Sequence, residues 1–325
     1  MEKLLLPAEV FTALPRSGDA KLLHVAYREK LKISFSSLVT SAEKGFNQKF
    51  PRLREKIENL DIKRRFSPCV YFLHHQIQNE MRASNAVMVR EFLSKLEQAE
   101  CYADHFSIRY GMREDWEIFL AQEVEKIKAR NFRGQLPKVC LEFKTSTGRI
   151  ESSVYQTLQL IQKYDPTMSE QIEEYISTLV LFEGEGVVGM TDVRAYGAIF
   201  LRIPEKGLDP ISHFAEHIIH ETSHLHLNAL MAQDPIILND PNQLFGAPIR
   251  LDKRPMFGVF HATFVLSRIV RFFRRLVEME PHHLHFRKTL DITSSQFQNG
   301  LNTVRLHAQC TPMGQQILHS FEEMA

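Results

Sequence analysis

Asp209-Pro-Ile-Ser-His-Phe-Ala-Glu-His-Ile-Ile-His-Glu-Thr-Ser-His-Leu-His-Leu-Asn-Ala-Leu230 is the stretch from which the rest of the chain can be read. Asp209 is a good helix N-cap, and Pro210 follows at the first helical position, where its missing N–H costs nothing. Ile211, Phe214, Ile218, Leu225 and Ala229 make an apolar stripe that predicts a packed helix. On this helix His220, Glu221 and His224 form an HExxH motif. Histidines four apart lie on one helix face, about one turn or ~5–6 Å from each other, so both imidazoles can reach one metal ion. Glu221 beside them can touch a metal-bound water or a substrate. His217 lies one turn before His220, at the edge of the same face.

A catalytic metal needs more than two histidines. The metzincin pattern asks for glycine and histidine after the motif, where Leu227 and Leu230 stand. The thermolysin-like pattern asks for a glutamate on the next helix, and none occurs from Thr222 to Val277. The candidates left are Asp234, Asp240, Asp252 and His261. The aspartates stand beside proline or turn residues, where capping is their common use. His261 is the one ligand-type residue well inside the next apolar helix, Met256 to Leu276, and is read as the third ligand. Three neutral imidazoles suit an iron centre with open positions, or zinc with a water and Glu221 as general base. The ligand types alone do not choose between them.

Working outward, 44% hydrophobic and 24% charged residues match an ordinary globular protein. A net charge of +1 makes no global case for nucleic acid or an anionic membrane as partner. Cys69, Cys101, Cys140 and Cys310 are far apart and make no CxxC, so reduced thiols are expected. The three leucines near the N-terminus are too few for a signal peptide, and no stretch reads as a membrane span; a cytoplasmic location is expected.

Residues 1–135 read as a helical N-terminal lobe and 136–325 as a metal-binding catalytic lobe, or the two as one continuous domain. Helical patterns run over Lys21–Val39, from Ser67-Pro68, over Asn85–Ala103 and over Glu114–Arg130, with Pro51 interrupting a charged stretch. Phe66 after Lys63-Arg64-Arg65 hints at a basic-aromatic patch, for which a short surface cluster is the commoner explanation. Val139–Phe143 reads as a strand, and Val154–Tyr164 and Ser169–Ile176 as helices. Thr178–Phe182 and Gly197–Ile203 are strand-like, with Gly184, Gly186 and Gly189 between them, which predicts a small antiparallel sheet. The fold class expected is α+β, mainly helical, with this sheet beside a zincin-like HExxH helix. His282, His283 and His285 read as a surface cluster.

The run Gly197-Ala-Ile-Phe-Leu, then His220 to Leu230, then Ala247-Pro-Ile-Arg-Leu-Asp-Lys-Arg-Pro255, then Gly258-Val-Phe-His261 resembles the HExxH-type 2-oxoglutarate-dependent peptide β-hydroxylases. These are tailoring enzymes of ribosomally synthesised, modified peptides. The resemblance covers roughly Gly189 to Leu276, and nothing in residues 1–135 matches. It implies iron(II) held by His220, His224 and His261, with 2-oxoglutarate as co-substrate and dioxygen as oxidant. The target it implies is a side-chain Cβ–H of a precursor peptide. Arginine binds a carboxylate through a bidentate fork, which points to Arg250 or Arg254, with Arg268 further along, as the co-substrate's partner. Glu221 then need not act as a base and can orient a ligand or water, so its role stays open between the two. Two other readings stand beside this dioxygenase: a zinc metallopeptidase using HExxH, and a non-enzymatic helical interaction protein with structural histidines.

Overall fold

A computed structural model describes residues 6–111, 114–131, 148–184, 187–249 and 252–324. The elements in chain order are α1 (Asp19–Phe46), α2 (Pro51–Glu58), α3 (Pro68–Arg82), α4 (Ala86–Gln98), β1 (Ser107–Tyr110), α5 (Asp115–Asn131), α6 (Gly148–Tyr164) and α7 (Pro166–Tyr175). There follow β2 (Thr178–Phe182), β3 (Gly189–Thr191), β4 (Ala198–Arg202), α8 (Pro210–Met231), β5 (Leu244–Phe245), β6 (Arg254–Pro255), α9 (Met256–Met279), α10 (Leu284–His307) and α11 (Pro312–Met324). The protein is mainly helical with a small sheet, in the α+β class. Its chain forms two compact units: one of residues 1–23, 146–173 and 203–325, the other of 24–145 and 174–202. The lobe boundary expected near residue 135 and the strand expected at Val139–Phe143 lie outside the described residues.

The second unit contains the packed helices α3 and α4 and a four-stranded sheet of order β1-β2-β4-β3. The expected antiparallel sheet is corrected here. β2 pairs in parallel with β1 and with β4, and only β3 runs antiparallel to β4. A direct hairpin between β2 and β4 would need a tight turn. The intervening link is long enough to carry β3 as a return strand, so β4 re-enters alongside β2. Burial agrees with this arrangement: every residue of β2 is buried, as in strands covered on both faces. Gly197, before β4, has φ +95, and a Cβ there would lie 3.3 Å from the Tyr175 carbonyl oxygen. Pro51, expected to interrupt a charged stretch, opens α2 at its first position. β1 has no counterpart in the sequence reading: Ser107-Ile108-Arg109-Tyr110 alternates polar and apolar residues over only four positions, and all four are half-buried.

The Lys63–Phe66 patch is structural. Phe66 is buried, Arg64 lies 3.8 Å over the Tyr102 ring and pairs with Asp104, and Arg65 donates to the Ile176 and Asp104 carbonyls.

The first unit is helical around α9, which packs on α8, α10 and α11, while α6 packs on α8. α9 is long and apolar enough on length and composition to cross a membrane, which corrects the expectation that no stretch is. Its apolar window is 72% buried inside the protein. Phe264, Phe272 and Phe273 are fully buried, each contributing roughly 2–3 kcal/mol by removal from water. His283 caps α10 by accepting the Phe286 N–H at 3.3 Å and stacks on the Phe286 ring.

Candidate metal centre

α8 starts where its local chemistry dictates. The Asp209 carboxylate accepts the Ser212 N–H at 2.7 Å, and Pro210 occupies the first turn. Burial goes beyond one stripe. Phe214, Ile218, Leu225 and Ala229 are fully buried, as are Ile219, Leu227 and Leu230 on other faces. Thr222 and Ser223 turn their hydroxyls back onto the carbonyls of Ile218 and Ile219, so neither leaves a polar group unmatched.

The HExxH histidines project together, with the His220 and His224 ring centroids 4.7 Å apart. His261 reaches them from α9. Its ring centroid lies 4.5 Å from that of His224, and its Nε2 is 3.0 Å from His224 Nδ1. This contact is a hydrogen bond, one imidazole N–H donating to the other's lone pair. Among the described residues, no group of three or more His, Cys, Asp or Glu side chains is arranged to hold a metal ion as it stands. The donor chemistry nonetheless fits one. Two ligands at right angles with metal–nitrogen bonds of ~2.1 Å would be about 3 Å apart, close to the separation of these two nitrogens. Loading an ion would exchange the shared proton for the metal. Burial, reinforced for His220 by nearby His261, lowers the His220 pKa to about 4 and burial alone does the same for His261. His224 is held well below the ordinary value by burial and by both neighbours. All three are therefore neutral at physiological pH, the state a metal ligand needs.

The three aspartates considered as ligands serve the loop instead. Asp234 accepts from the Ile236 N–H and the Thr311 hydroxyl, and Asp240 from the Asn242 N–H. Asp252 pairs with Arg254 at 2.6 Å. Glu221 is 3% exposed, packed within the unit. Arg250 lies outside the described residues. Arg254 stands in β6, immediately before α9, and its Nε is buried with no hydrogen-bond partner among the described residues. An N–H in that state is what an incoming carboxylate would satisfy.

Arg268 is no such partner. It is fully buried and committed to protein groups: Nε to Ser223 Oγ at 2.9 Å, Nη1 to the Ala13 carbonyl at 3.1 Å, and Nη2 to Gln171. Ser223 adjoins His224, so this guanidinium ties the turn of α8 that carries His224 to α9. His226 is also a core residue, fully buried and stacked on Phe264.

Two residues near the cluster, His213 and Phe257, were not singled out from sequence. His213 extends the row of imidazoles along α8 beyond His217, their centroids 4.6 Å apart, and its i,i+4 spacing to His217 carried that signal. Phe257 is 48% exposed and lies 5.7 Å from the His261 ring; its place one turn before His261 was its only signal. Compared with models of known protein families and with the sequences of curated proteins, the chain matches none.

Proposed function

We propose that the protein is an iron(II)- and 2-oxoglutarate-dependent dioxygenase that hydroxylates a side-chain β-carbon in a ribosomally made precursor peptide, acting in the cytoplasm. The observation that carries this reading is the adjacency of His220, His224 and His261, three neutral imidazoles from two packed helices. In this reading those residues hold the metal on a zincin-like HExxH helix. When bound, the iron supplies, with the co-substrate and dioxygen, the oxidising power to break a C–H bond. The protein's own part is positional. Arg254, or Arg250 in the same loop, binds a carboxylate of 2-oxoglutarate through its fork. Glu221, buried beside His220, orients a ligand or water. Arg268 holds α8 and α9 in register so that His261 stays against His224.

One observation favours a second reading, in which the histidines are purely structural: the His224–His261 hydrogen bond already satisfies one nitrogen of each ring. The test is anaerobic reconstitution with iron or zinc, followed by a succinate assay with 2-oxoglutarate, on wild type and His261→Ala. Tight iron binding and iron-dependent succinate, both lost in His261→Ala, are expected. No metal bound in either protein would establish the structural reading. Zinc-dependent peptide cleavage without succinate would replace the dioxygenase with a metallopeptidase.

A further inference from the structure

We propose that α8 carries a second, separate metal site for a divalent transition-metal ion such as zinc, with His213 and His217 as its nitrogen ligands and Glu216 as the neighbouring carboxylate. It does not rest on the dioxygenase reading.

The residue order points to it first. His213-Phe-Ala-Glu-His217 is an HxxEH pattern, the reverse of the HExxH that follows at His220–His224. Both patterns set two histidines four apart with a glutamate next to one of them, so each puts two imidazoles on one helix face and a carboxylate beside them. The structure gives the two pairs nearly the same geometry. The His213 and His217 rings have centroids 4.6 Å apart and planes at 68°, against 4.7 Å and 72° for His220 and His224. A metal–nitrogen bond of about 2.1 Å puts a ring centroid about 3.2 Å from the ion, so two imidazoles ligated at about 90–110° have centroids about 4.5–5.2 Å apart. Both pairs stand at that separation.

The displacement along the helix keeps the sites apart. Seven residues separate the two pairs, which is about 10 Å along the axis with a rotation of only about 20°. Ions that act together on one substrate stand about 3.5–4 Å apart, so these are two positions on one face and not a binuclear centre. His213 is buried, while Glu216 and His217 are half-buried. Each imidazole also interacts with other protein groups. A ring has two nitrogens, so one can take the ion while the other keeps a protein partner, the usual arrangement of a ligating histidine. At Glu216 burial alone raises the carboxyl above its usual range, and a dication would supply the countercharge. Imidazole donors suit zinc, copper or nickel better than calcium or magnesium. Among the described residues these groups do not enclose an ion as they stand, so loading turns the side chains inward and completes the shell with water.

The test is zinc titration of the full chain, stripped of metal, against a competing chromophoric chelator. Wild type is expected to bind two ions, and His220→Ala combined with His224→Ala to keep one. His213→Ala and His217→Ala, made separately and checked for helix content by circular dichroism, should each lose that ion. Glu216→Gln should weaken it about ten-fold, the equivalent of about 1.4 kcal/mol. A second measurement leaves residues 213 and 217 unchanged: copper(II) bound to His220→Ala with His224→Ala should give a paramagnetic resonance spectrum split by two imidazole nitrogens. Zinc stoichiometry unaffected by both His213→Ala and His217→Ala overturns the proposal, as does bound copper without that splitting. A single zinc in wild type that is lost with His217→Ala and kept in His220→Ala with His224→Ala supports this site and counts against the first. The opposite pattern overturns this site and leaves the first standing.

Discussion

Replacing Arg268 by methionine tests the claim that this buried guanidinium holds α8 to α9. The side chain is fully buried and donates to Ser223, the Ala13 carbonyl and Gln171. Hydrogen bonds from a charged donor contribute about 1.5–3 kcal/mol each, so three lost bonds amount to roughly 4.5–9 kcal/mol gross. Relief from burying a charge offsets several kcal/mol of this. Methionine fills much of the volume but leaves the Ala13 carbonyl and the Gln171 oxygen without this donor. We expect a net loss of about 2–4 kcal/mol. Arg268→Lys should lose nearly as much, because an ammonium on a flexible stem cannot reproduce the planar fork. The assay is urea denaturation followed by circular dichroism, comparing midpoints at constant m. Gln171→Leu combined with Arg268→Met closes a double-mutant cycle, in which the pair should couple favourably. A loss below about 1 kcal/mol, or a gain, would refute the argument, since buried charges replaced by hydrophobes sometimes stabilise.

Other perturbations have equally definite outcomes. Burial, opposed by the hydrogen bond to Glu174, lowers the His24 pKa to about 4, below the ordinary 6.5. A depressed base favours the folded state fully above 6.5, and that stability is lost as pH falls from 6.5 towards 4, up to roughly 3 kcal/mol in all. Urea midpoints measured across this window should fall with acidification in wild type and less steeply in His24→Gln. In Gly314→Ala the new methyl would press into the Ile236 carbonyl and stand 3.1 Å from Cys310 Cβ, costing about 1–3 kcal/mol by thermal melting. Asp209→Ala removes the cap on α8 and should cost about 1 kcal/mol, while Asp209→Asn should retain most of it.

The start of α8, its N-cap and the projection of His220 and His224 from one face are local properties, set by residues within a turn or two of each other. They were legible in the residue order alone, as were the starts of α3 at Ser67-Pro68 and of α4 at Asn85. The placing of His261 against His224 joins positions 37 apart through the packing of α9 on α8. Sequence pattern could nominate His261 as a ligand-type residue on an apolar helix, but contact depends on how two helices cross. The same limit explains the sheet: β-branched and aromatic content marks β2 and β4, while their parallel direction depends on the route of the link between them. Arg268 shows it most clearly. A cation on an apolar helix reads as a candidate ligand binder. Only the tertiary structure, by bringing Ala13, Gln171 and Ser223 from three distant segments around it, turned that charge into an internal brace. Short-range hydrogen bonding and periodicity are written in consecutive residues; the partner of a buried polar group is decided by which segments the folded chain packs around it.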